Sequence, residues 1–99
     1  MEIKSFKHKR LKALAQSKEP RNTKGLHKDH VRKLHNQLTL IRAVRNINEL
    51  VELGAHWKVH CIDPPRPKTW SMSVTGNYRL TFYLEDNETV SHVDLEDYH

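Results

Sequence analysis

The sequence predicts an α+β fold in which a short N-terminal strand and two to three helices pack on a mainly antiparallel sheet. Apolar residues recur at three- and four-residue intervals before Gly54 and at two-residue intervals after it, so the chain changes from helical to strand period there. Ninety-nine residues suit one small domain, expected to span residues 1–99, and are too few for a TIM barrel or a full dinucleotide-binding fold. With 36% hydrophobic residues and one cysteine, the core is thin and has no intramolecular disulfide to support it.

Ile3 to Phe6 alternates as a short strand does, and Lys7 to Gln16 follows with Leu11 and Leu14 at helical spacing. Ser17 to Gly25 is a polar loop bearing Pro20. The clearest helix places Val31, Leu34, Leu38 and Ile41 on one stripe, with Lys28, Arg32, Lys33, His35 and Arg42 on its other faces. A third, short helix is marked by Asn46 as cap with Glu49 three residues on, Ile47, Leu50 and Val51 inside, and Gly54 as stop. Beyond it, Trp57, Val59 and Cys61 share one face of a strand and Lys58 and His60 the other, which makes Cys61 a small core residue. Asp63 to Pro67 holds three prolines and must be a loop. Trp70, Met72 and Val74 form the next strand, and Thr75-Gly76-Asn77 reads as a hairpin turn. Tyr78, Leu80, Phe82 and Leu84 then alternate with Arg79, Thr81 and Tyr83 opposite, and Asp86-Asn87 turns into a last strand from Val90 to Leu95.

Charge is divided along the chain. Residues 1–50 carry 13 Lys/Arg and 4 Asp/Glu, a balance of +9, and residues 51–99 carry 4 and 8, a balance of −4. The basic half suits a polyanion, nucleic acid above all, although a solvated helix face with no ligand has the same composition. No stretch of about 18 apolar residues spans a bilayer and the first residues lack the apolar run of a signal peptide, so a cytoplasmic protein with no membrane association is expected.

The chemistry-bearing residues lie in the acidic half. His60 and Arg79 both fall off the apolar stripes of their strands, and the chain closes on Asp97, Tyr98 and His99. Two imidazoles, a phenol, a fixed cation and a carboxylate are the groups that metal-free RNA cleavage needs: a base for the 2′-hydroxyl, an acid for the leaving 5′-oxygen, and positive charge for the phosphorane. Each also has an ordinary reading, His60 as a surface polar residue, Arg79 as a cross-strand ion-pair partner, and Tyr98 as packing at the sheet edge. A metal site is not expected. His56 and His60 in one strand would stand about 13 Å apart, and neither HExxH nor CxxC is present. Isolated glycines exclude a phosphate-cradling loop, and no cofactor is expected.

Ile3 to Lys9 with Leu11, Asp29 to Leu34, Lys58-Val59-His60, Trp70 to Val74, Asn77 to Phe82 and the closing Asp97-Tyr98-His99 together resemble the HigB branch of the RelE/ParE toxin superfamily. The resemblance runs from the first strand to the last residue. It implies a RelE/ParE-like fold and a toxin of a type II toxin–antitoxin pair that enters the ribosomal A site and cuts messenger RNA by 2′-hydroxyl attack without metal. It also implies neutralisation by a HigA-like helix-turn-helix antitoxin. Carried over by residue, His60 and His99 are the proton-transfer pair, Arg79 the phosphate clamp, Tyr98 a group that stacks on or orients the nucleotide, and Asp97 a residue fixing a neighbour. Beside these, Lys58, Arg66 and Lys68 are the cations expected to contact RNA. Which histidine is base and which acid stays open at this level.

One departure stands out. Where the family usually reads Pro-Leu-Lys-Gly-Asp/Asn-Arg after the strand histidine, this chain reads Cys61-Ile62-Asp63-Pro64-Pro65-Arg66, placing Asp63 at the position of a lysine. The expected consequence is weaker or differently selective cleavage, with Arg66 or Lys68 supplying the cation. The competing readings are a ParE-like protein that poisons DNA gyrase by binding, a degenerate toxin that only binds RNA, and a small basic RNA-binding module. Retention of His60 and the closing trio favours the nuclease, and loss of the lysine favours the binders.

Overall fold

The computed structural model describes residues 1–18 and 25–97. The element order is β1 (Glu2–Ile3), α1 (Lys9–Gln16), α2 (Lys28–Ala43), α3 (Ile47–Leu53), a 3-10 turn (Ala55–Trp57), β2 (His60–Cys61), β3 (Thr69–Ser73), β4 (Tyr78–Asp86) and β5 (Thr89–Asp97). The strands form one sheet in the order β1-β5-β4-β3-β2, antiparallel throughout except that β1 runs parallel to β5. This is the α+β architecture that the change of period predicts. Among the described residues, no helix is long and apolar enough to cross a membrane.

The helices begin where local side chains satisfy their first backbone donors. His8 and His27 cap α1 and α2, each ring Nδ1 accepting from the N–H two residues on at 3.2 Å. Asn46 caps α3 by accepting from the Glu49 N–H at 2.9 Å, and the Glu49 carboxylate reaches back to the Arg45 N–H, one residue beyond the usual capping-box partner. Gly54 ends α3 for a steric reason rather than for a left-handed turn. Its φ is −98°, and a Cβ there would stand 2.9 Å from both the Leu50 carbonyl and the Val59 side chain.

All three helices cover one side of the sheet. Leu11 and Leu14, the stripe Val31, Leu34, Leu38 and Ile41, and Ile47 with Leu50 bury against Met72, Val74, Leu80, Phe82, Val90 and Val93. Val90 and Val93 reach the same core across an odd spacing because β5 carries a bulge. Thr81 stands opposite Asp94 but Tyr83 opposite Ser91, so one extra residue enters β5, and His92 absorbs it at a φ of 53°.

Three expectations are corrected. The strand expected from Ile3 to Phe6 shortens to Glu2–Ile3, after which Ser5 caps the β5 bulge through its hydroxyl and carbonyl and Phe6 makes a single bridge to Val93. Trp57 and His56 belong to the 3-10 turn, not to a strand, and Lys58 at a φ of 55° resets the chain before β2. Cys61 is exposed: it shares the side of Trp70, but β2 is a two-residue edge strand that the core does not reach.

Candidate active site

Residues opposite one another in an antiparallel pair project to the same side of a sheet. The registers therefore align His60, Ser71, Thr81 and Asp94 in one row across β2 to β5, and Ser73, Arg79 and Glu96 in the next. Both rows lie on the side that the helices leave uncovered, since Leu80 and Phe82, between Arg79 and Tyr83, point into the core. With strands about 4.8 Å apart and residues about 3.3 Å apart along them, the Cα atoms of His60 and Arg79 are separated by roughly 12 Å.

His60 is exposed, and its Nδ1 lies 2.6 Å from the Lys58 carbonyl oxygen. A carbonyl only accepts, so Nδ1 is the donor and, in the neutral ring, Nε2 is the accepting nitrogen turned to the surface. The left-handed Lys58 brings that carbonyl back to the ring. Arg79 is fixed by its own hairpin, Nη1 donating to the carbonyls of Thr75 at 2.9 Å, Tyr78 at 3.1 Å and Gly76 at 3.4 Å. Asp97 ends β5 opposite Tyr78 and so takes the other side of the sheet from Arg79. Tyr98 and His99 lie outside the described residues.

The loop between β2 and β3 accounts for the remaining candidates. Asp63 and Pro64 both precede cis peptide bonds, and the Asp63 carboxylate accepts from the Lys68 N–H at 3.1 Å, so the acidic residue closes its own loop. Lys68 is exposed, with its ammonium 5.9 Å from the centre of the Tyr83 ring. Arg66 places Nη1 and Nη2 at 2.9 and 2.8 Å from the two carboxylate oxygens of Glu96, a bidentate fork, and the Thr81 hydroxyl donates to the same carboxylate. The Arg66 fork, helped by Thr81, holds the Glu96 carboxyl below its usual range against the opposing effect of burial.

Beside the His60 row the uncovered side dips into a cleft of about 240 Å³, lined by Lys7, Arg66, Thr69, Thr81, Tyr83, His92, Asp94 and Glu96. Glu96 and Thr81, which join Arg66 in this cluster, are residues that reading the sequence does not single out. The available signal is that Glu96 immediately precedes the closing trio and falls opposite Arg79 once β4 and β5 are paired from their turn. Among the described residues, no three His, Cys, Asp or Glu side chains cluster as a metal site would require.

On the side of the sheet that its three helices leave uncovered, this small α+β protein presents an exposed histidine and a fixed arginine, groups suited to proton transfer and to holding a phosphate. The family model of HigB-like toxins, described as the RelE-like toxin of type II toxin-antitoxin system HigB, matches residues 4–99. Endoribonuclease HigB of Proteus vulgaris is 34% identical over 98 residues, covering 98% of this chain and 99% of the relative. The chain belongs to the HigB-like family of RelE-like toxins, and membership of a type II toxin–antitoxin family implies an antitoxin partner.

Proposed function

We propose that this chain is a toxin endoribonuclease that cuts messenger RNA in the ribosomal A site, its single toxin domain spanning residues 1–99. The observation that carries the reading is the common uncovered face of His60 and Arg79, in a chain whose relative is an endoribonuclease. His60 takes the 2′-hydroxyl proton through Nε2, because Nδ1 is already committed as a donor to Lys58. The 2′-oxygen attacks the adjacent phosphorus, the bond to the 5′-oxygen breaks, and His99 protonates that leaving oxygen, so that a 2′,3′-cyclic phosphate remains. Arg79 carries the charge that builds on the phosphorane oxygens. Tyr98 orients the nucleotide, Asp97 steadies its neighbour in the trio, and Lys58 and Lys68 contact the RNA backbone.

The exposed cations of α1 and α2, Lys9, Arg10, Lys12, Lys28, Arg32 and Lys33, supply the grip on ribosomal RNA. The partner is a HigA-like helix-turn-helix antitoxin, and the setting is the cytoplasm. The test is induced expression followed by primer extension on cellular messages, with translating and non-translating ribosomes compared in vitro. New 5′ ends that require translation and vanish in His60→Ala and His99→Ala support the reading. Growth arrest without new ends would instead mark a gyrase-binding or RNA-binding toxin.

A further inference from the structure

Glu96 stands opposite Arg79 in the β4–β5 register, where opposite charges ordinarily face each other and pair. An ionised carboxylate at that position competes with phosphate for the arginine. The structure gives the carboxylate a different occupation. Both of its oxygens accept from the fork of Arg66, which enters from the β2–β3 loop thirty residues earlier, and Thr81 donates to it as well. Arg79 meanwhile turns its Nη1 to the hairpin carbonyls of Thr75, Gly76 and Tyr78. The Glu96 carboxyl is held below its usual range, so it is ionised at neutral pH and would be an anion wherever it lay.

We propose that Arg66 is a positioning residue acting through Glu96: by taking both carboxylate oxygens it keeps that anion off Arg79, whose charge then serves the scissile phosphate. The proposal rests on the reading of Arg79 as the phosphate cation. It gives Arg66 a different task from the direct RNA contact that the sequence suggests. A planar fork suits the task, because it occupies both oxygens at once, whereas a lysine offers one point charge and leaves an oxygen to compete.

The experiment measures initial cleavage rates on programmed ribosomes, with KM and kcat separated, for Arg66→Ala, Arg66→Lys, each combined with Glu96→Gln, and Arg79→Ala, with thermal melts of every variant. Arg66→Ala is expected to lower kcat about tenfold, less than the roughly 10²–10³ that deleting a charge-stabilising donor outright costs, because Arg79 itself stays in place. Glu96→Gln in the same chain should restore most of that loss, because the competing anion is gone, and Arg66→Lys should fall between. If Arg66→Ala does not fold, the Arg66→Lys pair with and without Glu96→Gln gives the same comparison. A double variant as slow as the single one overturns the proposal, and a rise in KM that Glu96→Gln does not reverse makes Arg66 a direct RNA contact. Arg79→Ala cutting at the parental rate would instead remove the underlying reading of Arg79.

Discussion

Alternate residues of β4 live in two different surroundings. Leu80 and Phe82 are fully enclosed under the helices, each burial stabilising the fold by about 1.5–3 kcal/mol. Arg79, Thr81 and Tyr83 face the side without helices, and what holds Arg79 and Thr81 there is polar: hairpin carbonyls for Arg79 and the Glu96 carboxylate for Thr81. The enclosed face of β4 is out of reach of a polyanion, since the helices cover it. The uncovered side carries few of the apolar contacts that keep the chain folded. Stability and chemistry are therefore separable by one step along a single strand, and substitutions should divide accordingly.

The largest effect belongs to His60 on the uncovered side. His60→Ala should lower the cleavage rate by about 10²–10⁴, the usual worth of a positioned proton-transfer group. Its melting temperature should stay near that of the parent, since an exposed substitution of this kind changes stability by about 0.5 kcal/mol or less. Primer extension and a thermal melt on the same preparation check both halves, and a large loss of stability would contradict the division. Phe82→Ala is the converse. It should cost about 3–5 kcal/mol by opening a cavity, and at about 4–8 °C per kcal/mol for a domain of this size the melt will show it plainly. A melting temperature within a few degrees of the parent would sink the claim that this side carries the fold.

Much of this division is legible in the sequence because it is local. The α2 stripe of Val31, Leu34, Leu38 and Ile41, the Asn46 cap, and the hairpin at Thr75-Gly76-Asn77 depend on residues a few positions apart, and each appears where the spacing puts it. The parity of β3 and β4 likewise puts Arg79 on the side away from Leu80. β2 is misjudged at Trp57 because the left-handed Lys58 breaks an alternation that periodicity continues through it, and at Cys61 because periodicity does not show that a two-residue edge strand lies beyond the reach of the core. The bulge at His92 is invisible for a related reason, since Ser5, which caps it, is 87 residues away. The Arg66–Glu96 fork spans thirty residues and becomes apparent only when the β2–β3 loop and β5 are placed side by side.

Asp63 puts an acidic residue on the loop beside the uncovered side, where the resemblance calls for a lysine. Its carboxylate accepts from the Lys68 N–H, so it has a structural task that a lysine there could not perform. Asp63→Asn keeps the acceptor and removes the charge. It should raise cleavage about fivefold, the equivalent of roughly 1 kcal/mol for two unit charges about 4 Å apart in water. Asp63→Lys should also raise cleavage but lose about 1 kcal/mol of stability with the hydrogen bond. Unchanged or reduced cleavage in both variants would show that the acidic residue does not hinder the reaction.

The smallest effect separates the two sides by pH. His30 on α2 is 6% exposed, its ring 4.7 Å from that of Tyr78 and 4.9 Å from that of His27, and its Nδ1 has no hydrogen-bond partner among the described residues. Burial is the first cause that pushes its pKa below the ordinary value; nearby His27 and Lys33 add to it and Asp29 opposes it. The unfolded chain takes up this proton near pH 6.5, whereas the folded chain resists it to lower pH, so stability is complete above about 6.5 and declines as the pH falls from there. On the uncovered side the depressed Glu96 carboxyl works in a lower window: its contribution is present above the ordinary glutamate pKa of about 4.3 and is lost as acid protonates it. His30→Phe keeps a ring against Tyr78 and removes the titration. The fall in melting temperature between about pH 7.5 and 5.5 should therefore be smaller in His30→Phe than in the parent, while Glu96→Gln should leave that interval unchanged and flatten the curve only below about pH 5. Equal falls for parent and His30→Phe would mean that the buried imidazole does not set the acid response of the helical side.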